Sequence, residues 1–234
     1  TLLAAVHESV GGQRRFISDA AHQLRTPLAG LKSQTELALN ETGDPALRAR
    51  LQRVHESATR SAHLVNQLLT LARAEPQPAA AQGRARVELA KLAGERTAEW
   101  VPRARQAGID LGFEEGDGGA TIAVHGNALL LREAIANLID NALRYAGRGA
   151  AVTVRVRALG PDALIEVEDD GPGIAPADRE RVFERFARAT LQGDGCGLGL
   201  SIVKEIAERH GGEVALEGAA PKGLRVRLRL PRLG

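Results

Sequence analysis

The sequence predicts an α+β protein of two domains, a helical hairpin followed by a two-layer α/β sandwich. Three observations indicate this fold class: a length of 234 residues, helical spacing of apolar residues in the first third, and two-residue alternation in the second half. Pro76 and Pro78 mark a linker between the two patterns, because proline ends a helix. We therefore expect domains at 1–75 and 86–234, joined by a linker at 76–85.

The first domain is expected to form one half of a helical bundle. Asp44 followed by Pro45 predicts a helix start, because Asp accepts hydrogen bonds from free N–H groups and proline fits the first turn. Small and apolar residues then recur in alternating steps of four and three, which is typical of a bundle seam. The seam consists of Leu47, Leu51, Val54, Ala58, Ser61, Val65, Leu68 and Ala72. A first helix ending near Glu41 would pair with it, and two hairpins would form a dimeric four-helix bundle.

The second domain combines strand and helix patterns. Apolar residues alternate with threonine and arginine at 152–157 and 225–230, which predicts strands with one buried and one solvated face. A third strand is predicted at 163–168. Helical stretches fall near 89–106, 127–146 and 198–210. These elements predict an antiparallel or mixed sheet covered by helices on one side.

The composition excludes several classes of protein. A formal net charge of +2, with 44% hydrophobic and 26% charged residues, argues against a disordered chain and against nucleic-acid binding. No apolar run approaches the roughly 18 residues that span a bilayer, so a soluble chain is predicted. The single cysteine, Cys196, excludes an internal disulfide and favours a reducing compartment. Because the sequence has no methionine, even at position 1, we expect a fragment of a longer protein.

His22 is the first candidate for chemistry. If Ala20 and Leu24 face the bundle seam, His22 lies on the polar outer face, and Pro27 weakens the helix one turn beyond it. An exposed imidazole beside such a weakening can act as a nucleophile. A surface histidine beside an ordinary kink shows the same local pattern, so this segment alone leaves both interpretations open.

Polar residues of the second domain predict a site for a nucleotide and Mg²⁺. Asn137 and Asn141 lie one helical turn apart, and amide oxygens are hard ligands suited to Mg²⁺. Arg144 can contact phosphates and Tyr145 can cover a purine ring. Asp169 ends a strand, where its carboxylate can accept a hydrogen bond from an exocyclic amine.

Two glycine-rich segments complete this predicted site. Gly171 and Gly173 allow the backbone to approach a base, and residues 193–199 open a helix whose N–H groups favour phosphate. Each motif alone is more often a polar helix face or an ordinary turn, so the case depends on their combination. A dinucleotide-binding fold is excluded because no strand runs directly into Gly193, and the glycine-lysine phosphate loop is absent.

Five segments, taken in order along the chain, resemble known motifs. The first segment, FISDAAHQLRTPLAGL, resembles the phosphoacceptor box of bacterial sensor histidine kinases. The next four resemble the N, G1, F and G2 boxes of that family, and they are, in order, NLIDNALRY, VEDDGPGI, VFERF and GDGCGLGLSIV. The resemblance covers nearly the whole chain and implies a dimerisation and phosphotransfer domain followed by a catalytic domain with the Bergerat ATP-binding fold. The segments are most similar to membrane sensors that pair with OmpR-like regulators, of the tricarboxylate-transport type.

The resemblance implies a role for each matched residue. His22 would take the γ-phosphoryl group of ATP, and Asn141 with Asn137 would hold Mg²⁺. Tyr145 would stack on adenine, and Asp169 would accept a hydrogen from its amino group. The other implied ATP-site residues are Arg144, Gly171, Gly173, Ile174, Phe183, Phe186, Arg188, Gly195, Gly197, Leu198 and Gly199. Among them, the arginines would contact phosphates, the phenylalanines would anchor a lid over about 187–196, and the last glycines would close it.

One position departs from the family pattern. Many members carry an acid after the phosphoacceptor, whereas this chain has Gln23, which cannot act as a base near neutral pH. Asp19, one turn earlier on nearly the same face, is a substitute. Thr26 is implied in dephosphorylation of the partner. Gln23 therefore leaves open an ATP-binding dimeric phosphatase or scaffold with weak kinase activity.

The resemblance also implies the partners and the setting. We expect a homodimeric protein histidine kinase that uses ATP and Mg²⁺ and passes its phosphoryl group to a response-regulator receiver domain. The parent protein would be anchored in the bacterial inner membrane, with this part on the cytoplasmic side. A third alternative, a gyrase- or MutL-like ATPase, lacks a phosphoacceptor helix, so the segment around His22 argues against it.

Overall fold

The computed structural model describes residues 23–24, 26–74, 83–116, 121–184, 187 and 197–233. Its contacts divide the chain into two compact units, with the boundary between Glu75 and Pro76. No helix among the described residues combines the length and apolarity needed to cross a membrane.

The first unit contains two helices. Helix α1 covers residues 23–24 and 26–41, and α2 covers Pro45–Ala74. The predicted start of α2 is confirmed, since Asp44 Oδ1 accepts a hydrogen bond from the N–H of Ala46 at 2.8 Å. A half-buried hydrogen bond at 3.0 Å joins the helices, between Thr35 Oγ1 and His55 Nδ1.

Only part of the predicted seam is buried within this unit. Ala58 and Val65 are buried, and Leu28 of α1 packs against Val65. Other apolar side chains of the two helices remain exposed, namely Leu24, Leu31, Leu37, Leu47 and Val54. One hairpin therefore leaves an apolar surface that its own two helices do not cover.

The second unit is a two-layer sandwich of helices on a sheet. Its helices are α3 (Leu89–Ala107), α4 (Ala128–Tyr145) and α5 (Gly199–Arg209). Its strands are β1 (Ala85–Glu88), β2 (Asp110–Glu115), β3 (Ala123–Gly126), β4 (Ala151–Leu159), β5 (Asp162–Asp169), β6 (Glu213–Gly218) and β7 (Leu224–Pro231). The five-stranded sheet has the order β2-β4-β5-β7-β6, and β1 pairs with β3 separately. All three helices pack on one face of the large sheet.

The predicted elements are present, and four strands were missed. The sheet is mixed, which is one of the two predicted arrangements, with β2 parallel to β4 and the remaining pairs of this sheet antiparallel. Strands β1 and β3 have only four residues each. Strands β2 and β6 have six residues with only two large apolar side chains each, so their alternation is too short to mark them. Ala85, which the sequence assigned to the linker, belongs instead to β1 and pairs with Gly126. A strand of four residues can form there because β3 supplies its hydrogen bonds.

The face of the sheet away from the helices carries stripes of alternating charge. Acidic side chains lie on the central strand β5 and on the edge strands, and arginines lie on β4 and β7 between them. Glu166 of β5 is only 1% exposed and pairs with Arg157 at 2.6 Å and with Arg227 at 2.8 Å. Opposite charges on neighbouring strands attract across the ladder. The alternation therefore favours the observed strand order, because exchanging two adjacent strands would place like charges on neighbouring strands.

His210 joins the end of α5 to the beginning of α4. Its Nε2 accepts a hydrogen bond from the N–H of Asn127 at 3.0 Å, and its Nδ1 lies 2.7 Å from the carbonyl oxygen of Ile206. This arrangement needs a neutral imidazole with its proton on Nδ1, because a protonated ring has no acceptor for Asn127. Burial lowers the pKa of His210, and the nearby Arg84 and Arg209 cations lower it further.

The second unit is therefore expected to lose stability in mild acid. The contribution of His210 is complete above the unfolded pKa of about 6.5 and is lost as the pH falls through the lower folded value. Urea unfolding at about pH 7.5 and about pH 5.5, followed by Trp100 fluorescence, measures the change. His210→Gln keeps an acceptor but does not titrate. Its free energy of unfolding should therefore fall less between these two pH values than that of the wild type. Equal pH slopes in the two proteins would contradict this assignment.

Candidate functional site

Helix α4 places the two predicted amides on one face. Asn137 is buried, and its Nδ2 donates a hydrogen bond to the carbonyl oxygen of Glu133 at 3.0 Å. A Cβ built on Gly199 would lie 3.5 Å from Asn137 Oδ1, so the amide oxygen faces the first residue of α5. Asn141 follows one turn later and is half-buried. Both amides thus project from the same side of α4.

Arg144 and Tyr145 end the same helix. Arg144 Nε donates to Asp140 Oδ2 at 2.7 Å, and Asp140 is buried. Tyr145 is 37% exposed, so its ring is accessible to a ligand. Asp140 was not predicted as a site residue, although its spacing of four residues from Arg144 is a recognisable signal for an ion pair on a helix.

Asp169 lies at the C-terminal end of β5 and is 7% exposed. Its Oδ1 accepts a hydrogen bond from the N–H of Gly171 at 2.9 Å. Burial raises the pKa of the Asp169 carboxyl, while backbone hydrogen bonds from Gly171 and Leu224 lower it. A carboxylate has about four lone-pair positions, so Asp169 retains the capacity to accept a hydrogen bond from a ligand amine.

Gly171 and Gly173 occupy positions where a side chain does not fit. A Cβ on Gly171 would lie 2.6 Å from the Cα of Ala146, at the end of α4. Gly173 has a φ of +72°, and a Cβ there would lie 2.7 Å from the carbonyl oxygen of Gly223. The backbone after β5 therefore packs directly against α4 and the start of β7. Gly223, with a φ of +121°, is a member of this cluster that sequence reasoning missed.

The last glycine motif opens α5, as predicted. Gly197 has a φ of +67°, Leu198 is buried at the N-cap position, and Gly199 is the first helical residue. Among the described residues no side chain caps this N-terminus. The backbone N–H groups of its first turn are thus suited to an anionic group.

Of the predicted lid at about 187–196, the structure describes only residue 187. Ile174 and Phe183 are half-buried in the connection between β5 and α5. The carbonyl oxygen of Ile174 accepts a hydrogen bond from Arg179 at 3.2 Å, and Phe183 ends a short 3₁₀ helix. Four other predicted positions, Phe186, Arg188, Gly195 and Cys196, lie outside the described residues. The closing motion therefore stays a prediction.

The predicted phosphoacceptor segment is also described in part. His22 and Asp19 lie outside the described residues. Gln23 and Thr26 belong to α1, and both are exposed to solvent. The roles expected for these four residues stay predictions.

In the second unit, three predicted segments lie next to one another. Asn137 of α4 faces Gly199 of α5, and Gly171 joins Asp169 of β5 to the end of α4 at Ala146. Within the described part of the chain, no group of three or more His, Cys, Asp or Glu side chains could hold a metal ion. The amides of α4 remain the predicted metal ligands, because their hard oxygens fit Mg²⁺.

Two family models match the chain. The model described as histidine kinase-, DNA gyrase B- and HSP90-like ATPase matches residues 126–234. The model described as His Kinase A (phospho-acceptor) domain matches residues 12–77, which include His22. A gyrase-like ATPase has no phosphoacceptor helix, so the second match argues against that alternative.

The chain is also similar to individual sensor kinases. It is 39% identical over 235 residues to the sensor protein kinase PmrB of Pseudomonas aeruginosa. The aligned region covers 99% of this chain and 48% of PmrB. The structure of full-length ShkA in complex with AMPPNP matches with a TM-score of 0.71 and 27% identity, over 93% of this chain and 46% of ShkA. The mycobacterial sensor histidine kinase MprB matches with a TM-score of 0.56 and 32% identity, over 64% of this chain and 97% of the MprB structure.

These matches cover both units of the chain. The chain spans about half the length of the curated relatives it matches. Its finer placement among the tricarboxylate-transport sensors stays a prediction. The phosphoacceptor match precedes the ATPase match along the chain, and the chain is 32% identical to MprB over nearly the whole MprB structure. The chain therefore belongs to the bacterial two-component sensor histidine kinases.

Proposed function

We propose that this chain is the kinase core of a membrane-anchored sensor, on the cytoplasmic side of the inner membrane. It binds ATP, transfers the γ-phosphoryl group to His22, and passes that group to an aspartate of a response-regulator receiver domain. One observation carries the proposal: Asn137, Asp169 and the start of α5 converge in a chain that also matches the phosphoacceptor domain. The AMPPNP complex of ShkA supports the choice of nucleotide.

The adenine would be recognised at the end of β5. Asp169 accepts a hydrogen from the adenine amino group, and Tyr145 stacks on the ring. Gly171 and Gly173 let the backbone approach the base, because neither position has room for a side chain. This recognition requires an amino group at C6 of the purine. Guanine carries a carbonyl oxygen there, which cannot donate to Asp169, so guanine nucleotides should bind poorly.

The phosphates would lie toward α4 and the N-terminus of α5. Arg144 supplies a cation, with Arg188 as a second, and the uncapped N–H groups of α5 supply further donors. Asn141 and Asn137 would hold Mg²⁺ through their side-chain oxygens. When bound, Mg²⁺ neutralises charge on the triphosphate and orients it for transfer.

The helical unit would supply the phosphoryl acceptor and the dimer interface. A second copy of the hairpin would cover the exposed leucines of α1 and α2 and complete a four-helix bundle. Because Gln23 cannot act as a base, Asp19 is the candidate to orient His22 and take its proton. Thr26 would position a water against the aspartyl phosphate of the regulator.

Incubation of the purified chain with Mg²⁺ and γ-labelled ATP tests this proposal. We expect an acid-labile, alkali-stable label on the wild-type protein and no label on His22→Gln. His125→Gln is a matched control, because His125 is an exposed histidine on β3 and should leave labelling unchanged.

Two other results would contradict the kinase proposal. Bound ATP without any label would favour the phosphatase or scaffold function that Gln23 suggests. Turnover of ATP without labelled protein would favour a gyrase-like ATPase.

A further inference from the structure

We propose that two acidic residues of α4, Glu133 and Asp140, are positioning residues of the ATP site. Each fixes a side chain one helical turn further along α4, and each interacts in turn with an arginine of α3. Helix α3 would thereby orient the metal- and phosphate-binding side chains before a nucleotide arrives. The inference rests on the proposed function, because it takes Asn137 and Arg144 as ATP-site residues.

Glu133 fixes the orientation of the Asn137 amide. Asn137 Nδ2 donates to the Glu133 carbonyl oxygen at 3.0 Å. Burial raises the pKa of the Glu133 carboxyl, while the charge of Arg96 and the polar side chain of Asn137 lower it. Arg96 of α3 adds a favourable charge interaction with that carboxylate. Because the NH₂ group of Asn137 is engaged by Glu133, Oδ1 is directed toward Gly199. Only the oxygen of an amide can bind a cation, so this orientation is the one a Mg²⁺ site needs.

Asp140 fixes Arg144 in a corresponding way. The buried carboxylate accepts a hydrogen bond from Arg144 Nε at 2.7 Å through Oδ2, and its Oδ1 lies 2.8 Å from Arg103 Nη1. Arg103 in turn lies over the ring of Trp100, with 4.8 Å between the guanidinium carbon and the ring centroid. The guanidinium of Arg144 is thus oriented by an acid that α3 holds from the other side.

The two groups of residues repeat along both helices. The two arginines of α3 lie seven positions apart, and so do the two acids of α4 and the two side chains that these acids orient. The groups are Arg96, Glu133 and Asn137, and Arg103, Asp140 and Arg144. Seven residues make about two helical turns, so equivalent members lie on the same face of each helix. The repeat indicates that one face of α3 interacts with α4 at two places, once at each acid.

A nearby ion pair provides a matched control. Arg132 of α4 and Glu95 of α3 lie 3.1 Å apart and join the same two helices. Both side chains are exposed, and neither belongs to the proposed ATP site. Arg132→Ala therefore removes an α3–α4 contact without removing a positioning residue.

The first test measures AMPPNP affinity by calorimetry with and without Mg²⁺. We expect Glu133→Ala to reduce the gain in affinity that Mg²⁺ provides by about tenfold, and to leave metal-free binding unchanged. Glu133→Gln should restore most of that gain, because its amide oxygen can accept the hydrogen bond from Asn137. A merely structural role would change both conditions equally and would show no such rescue.

The second test uses Asp140→Asn, which keeps the shape of the side chain and removes its charge. We expect AMPPNP affinity about tenfold weaker both with and without Mg²⁺, because Arg144 is oriented toward phosphate in either condition. Arg132→Ala should bind AMPPNP like the wild type. If Asp140→Asn does not fold, the Glu133 variants decide the proposal.

Two results would overturn the inference. One is a Glu133→Ala protein whose AMPPNP affinity rises with Mg²⁺ as much as that of the wild type. The other is a loss of AMPPNP affinity in Arg132→Ala as large as the losses in Glu133→Ala and Asp140→Asn. Failure of the wild-type chain to bind AMPPNP would instead contradict the proposed function. The wild-type measurement therefore separates the two failures.

Discussion

Asp169→Asn is expected to weaken ATP binding by about 100-fold while changing the free energy of unfolding by no more than about 1 kcal/mol. In the wild type, the carboxylate offers only acceptors to the adenine amino group. In the variant, Gly171 N–H still holds the one remaining oxygen, so an amide NH₂ group would face the amine. The fold tolerates the change because burial already disfavours the charge of Asp169, as its raised pKa indicates.

Calorimetric titration with ATP measures this loss, and Asp170→Asn is the control. Asp170 is the neighbouring residue in the chain, is exposed, and accepts a hydrogen bond from the N–H of Ala151 at 2.9 Å. Its substitution removes the same charge without removing the adenine acceptor. Similar losses in the two variants would contradict adenine recognition by Asp169 and indicate a general effect of charge.

Gly171→Ala is expected to abolish ATP binding and to lower the free energy of unfolding by about 3 kcal/mol. The new Cβ would lie 2.6 Å from the Cα and 2.8 Å from the carbonyl oxygen of Ala146. These are backbone atoms at the end of α4, so they cannot move aside as a flexible side chain would. The end of β5 and the end of α4 must therefore separate, which displaces Asp169 from the adenine site.

Urea unfolding followed by Trp100 fluorescence measures the loss in the second unit. Gly112→Ala is the control, because Gly112 lies in β2 and a Cβ there meets no atom within 4 Å. Its free energy of unfolding should stay within about 0.5 kcal/mol of the wild type. Wild-type ATP affinity in a folded Gly171→Ala protein would contradict the close packing as the reason for this glycine.

The site residues could be predicted where their chemistry depends on near neighbours in the sequence. Asn137 and Asn141 share a face because a helix repeats every 3.6 residues, and α4 extends over nearly the residues its pattern predicts. Asp169 ends β5, where alternation of apolar residues stops. Local rules were sufficient to identify these residues, although the resemblance to histidine kinases was needed to assign their roles.

Other members of the site depend on contacts between distant residues. Gly173 requires Gly223 beside it, although 50 positions separate them, and Asp140 requires Arg103 of another helix. Neither partner stands out in the sequence, because a glycine in a loop and an arginine on a helix are common. Only the packing of the elements gives them a partner.

The sequence alone determined which faces of the helices and strands are apolar, where α2 begins at its Asp44 cap, and which side chains of α4 project together. Those properties follow from the periodicity of helix and strand and from hydrogen bonding within a few residues. Tertiary structure alone decided that β2 lies parallel to β4, that short strands such as β1 form at all, and that α3 supports the acids of α4. The reason is physical: strand pairing and ion pairs between helices depend on surfaces that meet only after the chain has folded.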